Sequence, residues 1–256
     1  YWHCRHKFIR FSSPRNLSEY LLTAMTKKEF EINAQYADKI AVRKYIESKG
    51  LNNILPQLYG VWESSTDIDF STLPNSFALK TNHGCGNHVI CYDKRTLDID
   101  SARAKIQDGL SKVYNIYEPH YKHIKPMAFA EELINDGTGS LPTDYKFMCV
   151  NGEPKCILVC SERGEKKTPT KATYDLRWNK LPWTQKCIDD NIPKPAHLDE
   201  MIEIARMLSH DFKFVRVDLY DCPNKIYFSE LTFSPAEGIL GTFTTKALDE
   251  MNPTIK

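Results

Sequence analysis

No stretch of this chain approaches the roughly 18 or more consecutive apolar residues that a membrane-spanning helix needs, so a spanning segment is not expected. Neither sign of charge is in excess. Against 33 Asp+Glu stand 34 Lys+Arg, a net +1, with no basic stripe, which disfavours a nucleic-acid partner. The eight cysteines contain no C-x-x-C pair, and some sit in apolar runs such as Cys156-Ile-Leu-Val-Cys160. That usage points to buried, reduced thiols in a cytoplasmic protein rather than to a disulfide framework. The opening Tyr1-Trp-His-Cys-Arg-His-Lys-Phe8 carries charge without a following apolar core, so it does not read as a secretory signal. Internal repeats and low-complexity tracts are also missing. What is present is 256 residues, 41% hydrophobic and 26% charged, enough for a substantial core as one domain or two lobes.

The first third, 1–72, reads as mostly helical. Pro14-Arg-Asn-Leu-Ser-Glu19 leads into apolar Tyr20-Leu-Leu-Thr-Ala-Met25. Asp38 is placed to cap a helix over 39–49 that Gly50 ends. From about residue 75 short strands take over: 76–81 and 88–92 around the glycine-bearing loop His83-Gly-Cys-Gly-Asn87, then 127–134, 145–150 and 155–160. Asn151-Gly152 joins the last two as a tight hairpin. Ser101 reads as the cap of a helix with Ile106, Leu110 and Val113 inward. Residues 161–195 read as a polar, proline-dotted excursion. Residues 198–208 read as an amphipathic helix with Ile202, Ala205 and Leu208 inward. Helices and mostly antiparallel strands in separate runs predict an α+β fold.

The chemistry concentrates in a hairpin, Phe214-Val-Arg-Val-Asp218, a turn at Asp221-Cys-Pro-Asn-Lys225, then Tyr227-Phe-Ser-Glu230-Leu-Thr232. Period-two alternation puts Arg216 and Asp218 on one face of the first strand and Glu230 and Thr232 on one face of the second. Two hard oxygen ligands beside a fixed cation are what a magnesium–phosphate site needs. A half-buried strand pair with a solvated polar face has the same pattern. Lys80, in an otherwise apolar strand just before Gly84 and Gly86, suits a phosphate clamp, the loop amides adding donors. A strand-edge lysine before a hairpin turn reads identically. Ala128-Phe-Ala-Glu131-Glu132-Leu133-Ile134 is an apolar strand ending in paired acids. His83 and His88 read as loop residues, and His120-x-x-His123 as surface.

In this order the sequence resembles the ATP-grasp superfamily, and within it the family named for the teichuronopeptide biosynthesis protein, associated with cell-surface polysaccharides. The resemblance runs from Pro14 to about Gly238. It rests on Ala37-Asp-Lys-Ile-Ala-Val-Arg43, Leu79-Lys-Thr-Asn-His-Gly84, Glu131-Glu-Leu-Ile134, Asp144-Tyr-Lys-Phe147, Tyr174-Asp-Leu-Arg-Trp178, Arg216-Val-Asp218 and Glu230-Leu-Thr232. It implies two lobes, 73–134 and 135–256, with mostly antiparallel sheets clasping a nucleotide after a helical N-terminal segment. It also implies that Lys39 and Lys80 hold the phosphates of ATP under the loop of His83, Gly84, Cys85, Gly86 and Asn87. Glu131, Glu132, Leu133 and Ile134 would meet adenine and ribose, with Asp144 and Lys146 near the nucleotide. Asp218 and Glu230 would bind Mg2+. Thr232 stands where most of the superfamily has Asn, which implies a weaker second metal site. Arg216 would steady the phosphoryl oxygens.

The activity so implied is an ATP-dependent carbon–nitrogen ligase joining an amino acid or amine to a uronic acid of a polysaccharide or its precursor. Arg163 and Arg177 of the excursion could then pair with the sugar carboxylate. Two rivals remain at this point. A glycosyltransferase would use a D-x-D motif, which Asp67-Ile-Asp69 spells. A non-catalytic nucleotide-binding subunit of a polysaccharide-assembly complex would tolerate Thr232.

Overall fold

A computed structural model describes residues 8–84, 86–112, 118–136, 141–161, 170–185 and 192–254. Cys4, Cys85, Val113, Arg163 and Cys187 lie outside the described residues. The chain forms two compact units, Glu31–Ile134 on one hand and Tyr1–Phe30 with Asn135–Lys256 on the other. Helix α1 (Leu17–Thr26) belongs to the second of these.

The 31–134 unit begins with two short helices, α2 (Ala34–Ala37) and α3 (Val42–Ser48). The helix expected over 39–49 therefore starts a turn late, although Asp38 Oδ1 does accept from the Ile40 and Ala41 amides at 2.8 and 3.1 Å. A four-stranded antiparallel sheet follows, from β1 (Leu58–Trp62), β2 (Phe77–Thr81), β3 (His88–Cys91) and β4 (Ala128–Glu131), in the order β1-β4-β2-β3. Strand β1 lies in the stretch read as helical. Helix α4 (Ile99–Ser111) covers the sheet, packing Ala102 and Ile106 against Phe77, Leu79, Ala128 and Ala130. Its N-cap is Asp98, whose Oδ1 accepts from the Ser101 amide at 3.0 Å, so Ser101 is not the cap as expected but its target. His120 corrects another expectation: it is 1% exposed, not on the surface.

The other unit holds a six-stranded, wholly antiparallel sheet in the order β10-β9-β5-β6-β7-β8. Its strands are β5 (Asp144–Val150), β6 (Glu153–Ser161), β7 (Thr170–Tyr174), β8 (Lys180–Leu181), β9 (Phe214–Cys222) and β10 (Lys225–Thr232). Asn151 and Gly152, at φ +53° and +79°, make the expected tight turn between β5 and β6. Strands β7 and β8 fall inside the excursion of 161–195. Helix α5 (Leu198–Ser209) buries Met201, Ala205 and Leu208 and covers one sheet face, where Cys149 Sγ lies 4.0 Å from Ala205 O. Asp144, Lys146 and Met148 alternate with that row and point to the opposite face, where Lys146 is paired with Asp218 and Met148 with Arg216 across the β5–β9 ladder. A last helix, α6 (Thr245–Glu250), is capped by the Thr244 hydroxyl.

Candidate active site

In the 31–134 unit, β2 presents Lys80 on the face opposite its buried Phe77 and Leu79. The Lys80 ammonium donates to Glu131 Oε1 at 2.7 Å, a diagonal contact from β2 to β4, since Lys80 stands opposite Phe129 and Ala78 opposite Glu131. Arg43 from α3 approaches the other oxygen of Glu131, at 3.9 Å. Glu131 thus gathers two cations. Sequence reasoning had given Arg43 no role. Lys39 reaches the glycine-bearing loop, donating to Gly84 O at 2.8 Å. That loop is tied down by Asn82, whose amide nitrogen donates to Asp38 Oδ2 at 3.0 Å and whose Oδ1 accepts from the Met127 amide at 2.9 Å. His83 is buried, and burial holds its pKa below the ordinary value, the nearby Lys39 adding to the effect. Gly86 and Asn87 close the described part of the loop. The Glu132 amide donates to Gln57 O at 2.8 Å. Leu133 and Ile134 follow outside any strand.

The other unit holds the denser cluster. Lys146 donates to Asp144 Oδ2 and to Asp218 Oδ2, both at 2.5 Å. Arg216 engages Asp218 with two nitrogens, Nε to Oδ1 and Nη2 to Oδ2, and Nη2 also donates to Glu230 Oε1, all at 2.6 Å. Thr232 Oγ1 donates to the same Glu230 oxygen at 3.0 Å. Burial disfavours the Lys146 ammonium, but Asp144 and Asp218 more than reverse this and raise its pKa. Arg216 is likewise raised despite burial, by Asp218 and Glu230. Complete burial pushes the Asp218 carboxyl upward against the pull of Arg216 and Lys146. With all five ionised, two cations face three carboxylates, leaving one negative charge in excess.

A bulge creates this arrangement. From Lys225 to Phe228 the β9–β10 ladder is regular, and then it slips so that Glu230 pairs with Asp218 and Thr232 with Arg216. Continued without the slip, the ladder would set Glu230 opposite Val217, on the wrong face. The extra residue, Ser229, carries no signal in the sequence.

Arg177 and Asp69 each sit in a local turn. Arg177 is exposed, in the turn after β7 that Asp175 organises by accepting from the Arg177 and Asn179 amides at 2.9 and 2.7 Å. Among the described residues no ion pair joins Arg177 to the cluster. Asp69 of the D-x-D stretch accepts from the Ser71 amide and hydroxyl at 2.9 and 2.6 Å, as a local turn would. Trp178, held at φ +68°, stacks on Tyr174 with centroids 4.2 Å apart.

Among the described residues no group of three or more His, Cys, Asp and Glu side chains converges as a self-sufficient metal site. Magnesium asks for less, because it ordinarily takes one or two carboxylates and fills its octahedron with phosphate and water oxygens. Asp218 and Glu230, paired across adjacent strands in a cluster with excess negative charge, fit that demand. Both oxygens of Asp218 already accept hydrogen bonds, so an ion would compete with Arg216 and Lys146 for them.

The family model described as TupA-like ATPgrasp matches residues 17–252. Among solved structures, an L-amino acid ligase from Bacillus licheniformis aligns with a TM-score of 0.55 at 13% identity, over 87% of this chain and 50% of that one. D-alanine–D-alanine ligases align more loosely. That from Bacillus anthracis has a TM-score of 0.47 at 15% identity, over 83% of this chain and 61% of that one. That from Helicobacter pylori has 0.46 at 14%, over 86% and 60%. The chain thus spans between half and three fifths of these longer chains. No curated protein sequence matches it.

Proposed function

The chain belongs to the TupA-like ATP-grasp family, and from that premise we propose that it is an ATP- and magnesium-dependent carboxylate–amine ligase working through an acyl phosphate. The observation that carries the reading is the buried network of Lys146, Arg216, Asp218 and Glu230, with Asp144 behind it. Cations held charged in a buried setting, beside carboxylates able to take a divalent ion, supply what phosphoryl transfer asks of a protein: positioning and charge neutralisation.

In this reading Lys39, Lys80 and the loop of His83, Gly84, Cys85, Gly86 and Asn87 hold the nucleotide phosphates. The chain at Glu131, Glu132, Leu133 and Ile134 meets adenine and ribose. Asp218 and Glu230 hold Mg2+, with Thr232 supporting Glu230. The ion, when bound, screens the phosphate charge. Arg216 and Lys146, kept charged despite burial by their carboxylate neighbours, would meet the phosphoryl oxygens. A substrate carboxylate oxygen attacks the γ-phosphorus, the bond to the bridging oxygen breaks, and ADP leaves. The amine then attacks the acyl carbon, the carbon–nitrogen bond forms, phosphate departs with the carbon–oxygen electron pair, and the nitrogen releases a proton.

The acid substrate proposed is a uronic acid of a cell-surface polysaccharide or its precursor, met in the cytoplasm, with an amino acid or amine as nucleophile. Arg177 and Arg163 are its candidate carboxylate partners. The purified protein with Mg·ATP, screened against uronic acids paired with free amino acids, should release ADP and phosphate only when acid and amine are both present. Tight ATP binding with no ADP from any pair would instead select the non-catalytic reading. ADP release independent of both substrates would reject the ligase.

A further inference from the structure

The carboxylate of Glu131 stands where three elements of the 31–134 unit meet, with only 12% of its side chain exposed. Lys80 holds its Oε1 at 2.7 Å. The Arg43 guanidinium stands 3.9 Å from its Oε2, too far for a hydrogen bond but close enough for a strong attraction where little water intervenes. Arg43 is anchored in that place. Its Nη2 donates to Pro56 O at 2.7 Å, and Val42 and Ile46 beside it root α3 in the core. One residue further on, the Gln57 amide donates to Glu132 Oε2 at 3.2 Å and Gln57 O accepts from the Glu132 amide at 2.8 Å. The guanidinium is thus fixed between α3, the approach to β1 and the end of β4.

Charge gives this bracket its consequence. Lys80 and Glu131 alone would neutralise each other, and an ammonium committed to a shielded carboxylate responds weakly to an incoming anion. With Arg43 in place, two cations share one carboxylate, and the trio carries one positive charge in excess. The two cations also repel each other, so the Lys80–Glu131 contact is weaker than it would be without Arg43. An arginine suits this post, because its planar fork keeps Pro56 O on one nitrogen while another faces Glu131.

We propose that Arg43 is a positioning residue for nucleotide binding: by sharing the Glu131 carboxylate, it keeps the Lys80 ammonium able to exchange that carboxylate for a phosphate oxygen. The assignment rests on the ATP-binding reading above, which supplies the phosphate. A double-mutant cycle on the full chain, read by titration calorimetry with Mg·ATP, tests it. Arg43→Gln should weaken binding about fivefold in the parent background. Beside Glu131→Gln there is no carboxylate to share, and the same change should alter affinity by less than about twofold. A long-range charge effect, or a brace acting through Pro56 O, would cost the same in both backgrounds.

Lys44→Ala removes the exposed charge next to Arg43 on α3 and should leave affinity unchanged. Should Arg43→Gln fail to fold, Arg43→Met, which keeps the apolar stem, takes its place in the cycle with the same expectation. Equal losses in the two backgrounds, no loss in the parent, or a fivefold loss from Lys44→Ala would each overturn the assignment alone. Failure of the unaltered protein to bind Mg·ATP would overturn the ATP reading and this assignment together.

Discussion

Replacing Arg216 by methionine removes three charge-assisted hydrogen bonds at once, two to Asp218 and one to Glu230. Asp218 is 0% exposed and cannot turn to water. Breaking a buried ion pair from one side costs about 3–5 kcal/mol, because the surviving charge is left uncompensated. Here Lys146 stays on Oδ2, so only Oδ1 is stripped of its donor, and the expectation falls at the lower end, about 3 kcal/mol. Urea unfolding followed by circular dichroism measures this directly. At a slope of about 1–3 kcal/mol per molar, the midpoint should fall by about 1 M or more. The double variant Arg216→Met with Asp218→Asn should be less destabilised than the sum of the singles by about 1–3 kcal/mol, since the orphaned charge is gone. A single-variant loss below about 1 kcal/mol, or strict additivity, would refute the idea that these two side chains neutralise each other in a buried setting.

Other expectations follow from the same geometry. Lys80→Ala and Asp218→Asn should each lower ligase turnover about a hundredfold or more, by the scale of lost oxyanion donors, with the fold retained by circular dichroism. Parental ADP release from either variant would count against its role. His120 is buried, and desolvation lowers its pKa to about 4. Its unfolded value lies near 6.5, so the unfolded chain binds the extra proton first. The stability it confers is whole above about pH 6.5 and declines as pH falls towards 4, by about 2 kcal/mol at pH 5. His120→Phe should flatten that part of the stability–pH curve, and an unchanged slope would assign the acid sensitivity elsewhere. Gly152→Ala forces a Cβ into a left-handed position 3.1 Å from His210 O and should cost about 1–3 kcal/mol in a melting experiment.

Local chemistry was legible in the sequence. Asn151-Gly152, the face of α5 and the β9–β10 hairpin each depend on a few consecutive residues, and each formed where expected. Lys80 and Glu131 were both singled out, yet their pairing follows from the diagonal register of β2 on β4, which no linear pattern encodes. Glu230 was expected on the face of Asp218 by simple alternation, while in the folded sheet it gets there through the bulge at Ser229. Strand β1 hid behind Gly60, a residue that weakens any strand signal, and β7 behind its polar surroundings. Burial of His120 is a tertiary fact, since that residue sits in a polar stretch that reads as surface.

The acyl phosphate is the centre of the functional account, and isotope transfer tests it most directly. A uronic acid labelled with 18O in its carboxylate, supplied with Mg·ATP and the amine that supports turnover, should deliver one labelled oxygen into the released phosphate for each amide formed. Phosphate free of label, with amide still accumulating, would contradict attack of that carboxylate on the γ-phosphorus and with it the ligase chemistry proposed for this chain.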